Sequence, residues 1–164
     1  MNVRQQKNRD EVIDYRALAE LRYRIRRFMT FSEQEARAAG LEPQQHQLLL
    51  AVKGLPEGAR PNVSTLAERL KLRHHTVVGL VDRLVSAKLV LRRPSSADGR
   101  EILVELTTKG ERVLRSLSVS HQAELRSAAP ALLASLEAIV GQQRTSRDKA
   151  IGHEATFSRN DDTT

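Results

Sequence analysis

The stretch NVSTLAERLKLRHHTVVGLVDRLVSAKLVLRRPSSADGREILVEL, residues 62–106, decides the fold. Its first part places Asn62 where a helix N-cap belongs and brings Leu66, Ala67 and Leu70 onto one face of a short helix. The turn KLR buries Leu72. A second helical pattern then runs from about His74 to Ala87, with Val77, Leu80, Val81 and Leu84 as its apolar stripe. After Lys88 the period changes to two: Ile102, Val104 and Leu106 line one face of a strand, Glu101 and Glu105 lie on the other, and Leu89 to Arg92 supplies the partner strand. Two short helices followed by a hairpin predict a winged helix-turn-helix, a module that presents one helix and one hairpin tip to a polyanion.

The side of the second helix opposite its stripe carries His75, Gly79, Asp82 and Ser86, flanked by Val78 and Arg83. Glycine inside a helix costs about 1 kcal/mol relative to alanine, so something should offset Gly79. Close approach to a DNA groove would do so, as would tight packing against another helix, and tolerated drift would need no offset; the sequence does not separate the functional reading from the other two. His74 and His75 do not suit a shared metal ion, because adjacent helical positions point about 100° apart. Groove or phosphate contact is the better reading. The loop RPSSADGRE is the wing, with Arg93 and Arg100 at the hairpin and Asp98 two residues before Arg100; the alternative for such a loop is a solvated basic turn.

Outward from this stretch, residues from about Asp10 to Ala39 contain no Gly or Pro, and Leu18, Leu21, Ile25 and Phe28 recur at helical spacing. One long helix ended by Gly40 is expected, spanning roughly 40 Å. A helix of that length overhangs a small domain, so part of its apolar face should meet another subunit. Arg22, Arg24, Arg26 and Arg27 read as a solvated face paired with Glu20 and its neighbours rather than as phosphate contacts. Pro43 opens a second helix that Gly54 and Pro56 close after Lys53, and its LLLAV run reads as core. His46 in that helix could sense a ligand or bind a metal, although a lone His without partners at ligand spacing is more often a partly buried side chain.

Beyond the wing, Thr107 or Thr108 can cap a helix with Val113, Leu114, Leu117 and Leu125 as its stripe to about Ser127. Pro130 then restarts a helix carrying Leu132, Leu133, Leu136, Ile139 and Val140. Both should pack with the long first helix. From Gln142 the chain is polar and without periodicity, so residues 143–164 are expected to form a disordered tail to a domain of residues 1–142.

The 164 residues suffice for one domain with a real core. Aromatics at 3% and the absence of Trp point to packing on Leu, Val and Ala, hence a mainly α fold. A formal charge of +7 favours an anionic partner, nucleic acid first among them. With no cysteine there is no disulfide framework, thiolate zinc site or thiol sensor. No Gly-rich phosphate loop, nucleophile with a nearby base or metal-spaced cluster is present, so neither an enzyme nor a cofactor is expected. Without an apolar leader or an 18-residue apolar run, the expected location is the cytoplasm, at the nucleoid, with no membrane partner.

Taken together, GLEPQQHQLLLAV, STLAERLKL followed by VVGLVDRL, the Asp98-Gly99-Arg100 wing and LTTKGERVL resemble the MarR family of bacterial winged-helix transcription regulators over roughly residues 15–140. The resemblance implies a winged helix-turn-helix (about 43–106) flanked by N- and C-terminal dimerisation helices (about 10–39 and 108–141). It implies a homodimer on an inverted-repeat operator in double-stranded DNA, with a recognition helix in the major groove and a wing in the minor groove. Position by position, groove contact falls on Arg73, His74, His75, Thr76 and Val78, with Arg83 near phosphate; Arg100 would enter the minor groove, oriented by Asp98. Arg73 stands where Ser or Thr often caps the recognition helix, and Gly79 where a longer polar residue is common, so base preference does not transfer. The expected function is a repressor responsive to a small, aromatic effector whose binding residues the sequence does not mark. The alternative is an architectural DNA-binding protein without effector.

Overall fold

A computed structural model of the chain describes residues 13–96 and 99–154, those from 142 onward by their backbone alone. The elements run α1 (Tyr15–Ala38), α2 (Pro43–Lys53), α3 (Val63–Leu70), α4 (His74–Ser86), β1 (Val90–Pro94), β2 (Ile102–Leu106) and α5 (Thr108–Glu154). Contacts divide the chain into two units, Met29–Glu124 and the flanks Met1–Phe28 with Leu125–Thr164. The fold is mainly helical with a two-stranded antiparallel wing.

In the Met29–Glu124 unit, each short helix is stopped by the backbone closing on itself. At the end of α1, Gly40 adopts φ +76° while the N–H of Leu41 bonds the carbonyl of Ala36 at 2.9 Å. The same closure ends α3 and α4, but with lysines in the left-handed position: Lys71 at φ 54° and Lys88 at φ 59°. There the N–H of Leu72 reaches Ala67 O at 3.0 Å, and that of Leu89 reaches Leu84 O at 2.9 Å. Left-handed backbone costs an L-residue about 1–2 kcal/mol. Seating Leu72 and Leu89 against the core just after each turn offsets that cost.

The core itself is the predicted one. Leu66 of α3 and Val77, Leu80, Val81 and Leu84 of α4 are buried, together with Leu48 and Leu49 of α2 and Val90 and Val104 of the hairpin. Not all of LLLAV is core, however: Leu50 is 50% exposed, because it falls on the outer side of α2 while its neighbours turn inward. Ile102 likewise departs from the expected inner face of its strand and is 42% exposed, at the end of the ladder opposite Pro94. The first strand begins at Val90 rather than Leu89, since the Leu89 N–H is committed to closing α4.

One pairing has no counterpart in the sequence pattern. Asn62 bridges to Leu103, and the Pro61 carbonyl accepts from the Val104 N–H at 2.8 Å, so the segment before α3 lies along the outer edge of β2. Proline has no N–H to offer, but here only its carbonyl is needed. A second seam joins the start of α5 to the end of α4. Thr107 caps α5, its Oγ1 accepting from Gly110 N–H at 3.0 Å, while its own hydroxyl points to Lys88 O at 2.8 Å. A Cβ on Gly110 would lie 2.0 Å from Leu89 O, so the LTTKGERVL motif needs glycine for this approach.

The expected pair of C-terminal helices is one helix. α5 continues through Pro130, which removes one backbone donor; the alanines at 128, 129 and 131 favour helix strongly enough to carry it past that loss. The helical backbone also extends to Glu154, into the expected tail, because Gln, Arg, Lys and Ala sustain a helix without any apolar period. Residues 155–164 and the predicted helix start at residues 10–12 lie outside the described residues. In the flanking unit Asp14 caps α1, its Oδ1 accepting from Ala17 N–H at 2.8 Å, and Arg24 pairs with Glu20 as expected. Ala17 and Ser135 are buried there, whereas Ile13, Tyr15, Tyr23, Leu133 and Val140 are each more than half exposed.

Candidate nucleic-acid interface

α4 is held by its stripe and offers the rest of its surface outward. Arg73 occupies the N-cap with extended backbone and no side-chain cap bond, as expected of a guanidinium, which has donors only. The first turn contains no acidic residue, so the positive end of the helix dipole coincides with Arg73, His74 and His75, all exposed. Thr76, Val78 and Gly79 are half-buried and Arg83 is exposed. Among the described residues, none of Arg73, His74, His75 and Arg83 pairs with a carboxylate. Side chains that are charged and unpaired are those able to neutralise phosphates without first losing a partner.

Among the described residues, Gly79 has room for a side chain. The nearest atom to an added Cβ is Arg83 Nη1 at 3.7 Å, an ordinary contact with a flexible side chain. No second helix presses on it. Asp82, on the same side, holds Arg92 of β1 at 2.6 Å, tying α4 to the first wing strand.

Two arginines of the wing are exposed, Arg93 on β1 and Arg100 at the turn. Arg93 is exposed but bonded to Glu105 across the hairpin at 2.9 Å, so a phosphate would have to compete with that carboxylate. Gly99 and Arg100 are exposed at the turn; Asp98, expected to orient Arg100, lies outside the described residues. At the root of the wing is a cluster that the sequence pattern did not single out. Glu101 accepts from Asn62 Nδ2 at 2.5 Å and from Arg60 Nη1 at 2.8 Å. The bonds from Asn62 and then Arg60 hold its carboxyl below the usual carboxylate range. Asn62 uses its other end to cap α3, Oδ1 accepting from Thr65 N–H at 2.8 Å.

His46 is placed apart from these residues. It is buried in α2, and its ring centroid lies 4.8 Å from that of His121 in α5. His121 in turn contacts the edge of Phe31 and bonds Ser32 of α1 through Nε2 at 2.7 Å and the Leu117 carbonyl through Nδ1 at 2.5 Å. Burial, and then the charge of His121, push the pKa of His46 down. The partner that a sequence scan lacked is thus a second histidine far along the chain. Among the described residues no group of three or more His, Asp or Glu could hold a metal ion, and no helix is long and apolar enough to cross a membrane.

Comparison with known proteins agrees with this arrangement. Residues 39–101 match the model of the MarR family. No curated protein matches the chain significantly. Among solved structures, AbsC, a MarR family transcriptional regulator from Streptomyces coelicolor, is similar with a TM-score of 0.57 at 21% identity, over 97% of each chain. A point mutant of S. aureus MepR bound to an oligodeoxyribonucleotide is similar with a TM-score of 0.56 at 20% identity, over 87% of this chain and 99% of that one. CouR from Rhodococcus jostii bound to p-coumaroyl-CoA gives 0.53 at 22% identity, over 68% and 82%. At these identities the structures establish a shared fold, and the family match covers α2 to α4, β1 and the wing loop within it, ending just before β2. Residues 39–101 thus match the MarR family of winged helix-turn-helix regulators, and the described chain has the MarR-like fold.

Proposed function

We propose that this protein is a homodimeric, sequence-specific repressor of the cytoplasm and nucleoid, released from an inverted-repeat operator by a small molecule. The observation that carries the DNA-binding part is the unpaired basic end of α4, set on a helix whose opposite stripe is wholly buried. Arg73, His74, His75, Thr76 and Val78 read the major groove, Gly79 lets the helix approach, Arg83 meets phosphate, and Arg93 and Arg100 with Asp98 form the wing contact. The flanking helices, about 10–39 and 108–141, supply the dimer interface, and residues 143–164 are dispensable for it. That CouR was crystallised with p-coumaroyl-CoA supports an aromatic effector class for the present chain as well.

Selection of bound duplexes from a random-sequence library by the full-length protein tests this. The expected product is an inverted repeat with half-sites about one helical turn apart. Gly79→Glu should hold or raise the melting temperature, since Glu is the better helix former, yet abolish binding to the selected duplex by setting a carboxylate against phosphates. Absence of any enriched sequence, or a Gly79→Glu variant that melts lower and still binds, would refute the reading.

A further inference from the structure

We propose that Glu101 is a positioning residue for DNA binding: clamped by Asn62 and Arg60 at the root of the wing, it fixes the angle at which Arg100 meets the duplex. The inference rests on the reading of Arg100 as a minor-groove contact. A two-stranded hairpin is by itself only marginally stable, so a wing that must deliver a side chain to a groove needs an anchor. Here each carboxylate oxygen is held by a different donor, Oε1 by Asn62 Nδ2 at 2.5 Å and Oε2 by Arg60 Nη1 at 2.8 Å. The backbone of the same residue closes the hairpin, its carbonyl accepting from the N–H of buried Ser95 at 2.8 Å. Both donors come from the segment that leads into α3, and that segment is bonded to β2 through Pro61 and capped onto α3 through Asn62. Helix-turn-helix and wing are joined at one side chain, adjacent in sequence to Arg100.

The clamp makes a prediction opposite to charge counting. A carboxylate next to a DNA-facing arginine should oppose binding, so its removal should tighten the complex; if it positions the wing, removal weakens the complex. The Arg60–Glu101 pair is partly open to solvent, with 51% of the Arg60 and 20% of the Glu101 side chain accessible, and solvent-screened ion pairs contribute little to global stability. Binding and melting therefore separate.

The test uses full-length protein, a fluorescein-labelled duplex selected by the wild type from a random library, anisotropy at two salt concentrations, and the variants Glu101→Ala, Glu101→Gln, Arg100→Ala and Glu101→Ala with Arg100→Ala. Arg100→Ala is expected to weaken binding about tenfold and to lower the salt slope. Glu101→Ala should do the same, despite the gain in positive charge, with its melting temperature within about 2 °C of wild type. Glu101→Gln, which keeps an acceptor for Asn62, should recover part of the loss, and the double variant should bind no worse than Arg100→Ala alone. If Arg100→Ala weakens binding while Glu101→Ala binds as well as or better than wild type, or if the two losses add in full, the positioning role is overturned and the wing contact stands. If Arg100→Ala itself binds like wild type, the wing contact fails and the proposal with it.

Discussion

The unit from Met29 to Glu124 and the flanking unit handle apolar surface in opposite ways. The first closes a core within one chain: every residue of the main buried apolar cluster, from Ala36 through Leu117, belongs to it. Among the described residues of the flanks the buried apolar side chains come down to Ala17, while Tyr15 is 74% exposed, Tyr23 58%, Leu133 56% and Val140 57%. Burying apolar surface is the dominant favourable term in folding and association, and these exposed side chains are the surface that the proposed dimer would bury. The Met29–Glu124 unit closes its own core; the flanks, on the dimer proposed above, complete theirs against a second copy.

The comparison breaks most visibly if the flanks are attacked. Leu133→Glu combined with Leu136→Glu should convert a dimer into a species of 18.4 kDa in sedimentation equilibrium, while far-ultraviolet dichroism still reports the helices. Binding to the selected duplex should fall about 100-fold or more, because two linked half-site contacts become independent. Persistence of the dimer would place the interface elsewhere. Within the Met29–Glu124 unit the expected effects are on stability. Leu49→Ala should cost about 2–5 kcal/mol in urea unfolding, and Leu50→Ala, one position along, no more than about 0.5. Equal costs would mean that Leu50 is covered in solution.

A finer test addresses the seam between the recognition helix and α5. Gly110→Ala would gain about 1 kcal/mol from helix propensity alone. With a Cβ placed 2.0 Å from the Leu89 carbonyl, the variant should instead lose about 1–3 kcal/mol, read from the same unfolding curves. The smallest effect is a pH dependence. The folded-state pKa of His46 is below its ordinary 6.5, so the stability it contributes is complete above that value and is lost as pH falls through the depressed one. Phe31 and Ser32 of α1 and His121 of α5 face this site and offer no carboxylate to offset a second charge. The urea midpoint should drop on acidification below pH 6.5, and His46→Phe should flatten that drop; an unchanged slope would assign the titration to other groups.

How much of this was legible depended on whether the signal was local. The stripe of Val77, Leu80, Val81 and Leu84 repeats at helical period and is buried as read, and Asn62 caps the helix it precedes. The left-handed turns at Lys71 and Lys88 were hidden because lysine carries no mark of that conformation, unlike Gly40. Pro130 was read as a break, although the alanines around it keep the helix intact. The site divides along the same line. The exposed end of α4 follows from one helical wheel, whereas the pairing of Arg93 with Glu105, the clamp on Glu101 and the stacking of His46 on His121 join residues that only the tertiary fold brings together.

Asn62 illustrates what such double employment means for sequence drift. As a helix cap alone, asparagine is interchangeable with aspartate or serine. In this chain its amide is read at both ends, oxygen towards the Thr65 N–H and nitrogen towards the Glu101 carboxylate. Aspartate would keep the cap and set two carboxylates against each other, and serine would keep the cap and fall short of the wing. By the same asymmetry, conversion of this one amide to an acid would leave the helix in place and loosen the wing, a lesion visible to DNA and nearly invisible to a melting curve.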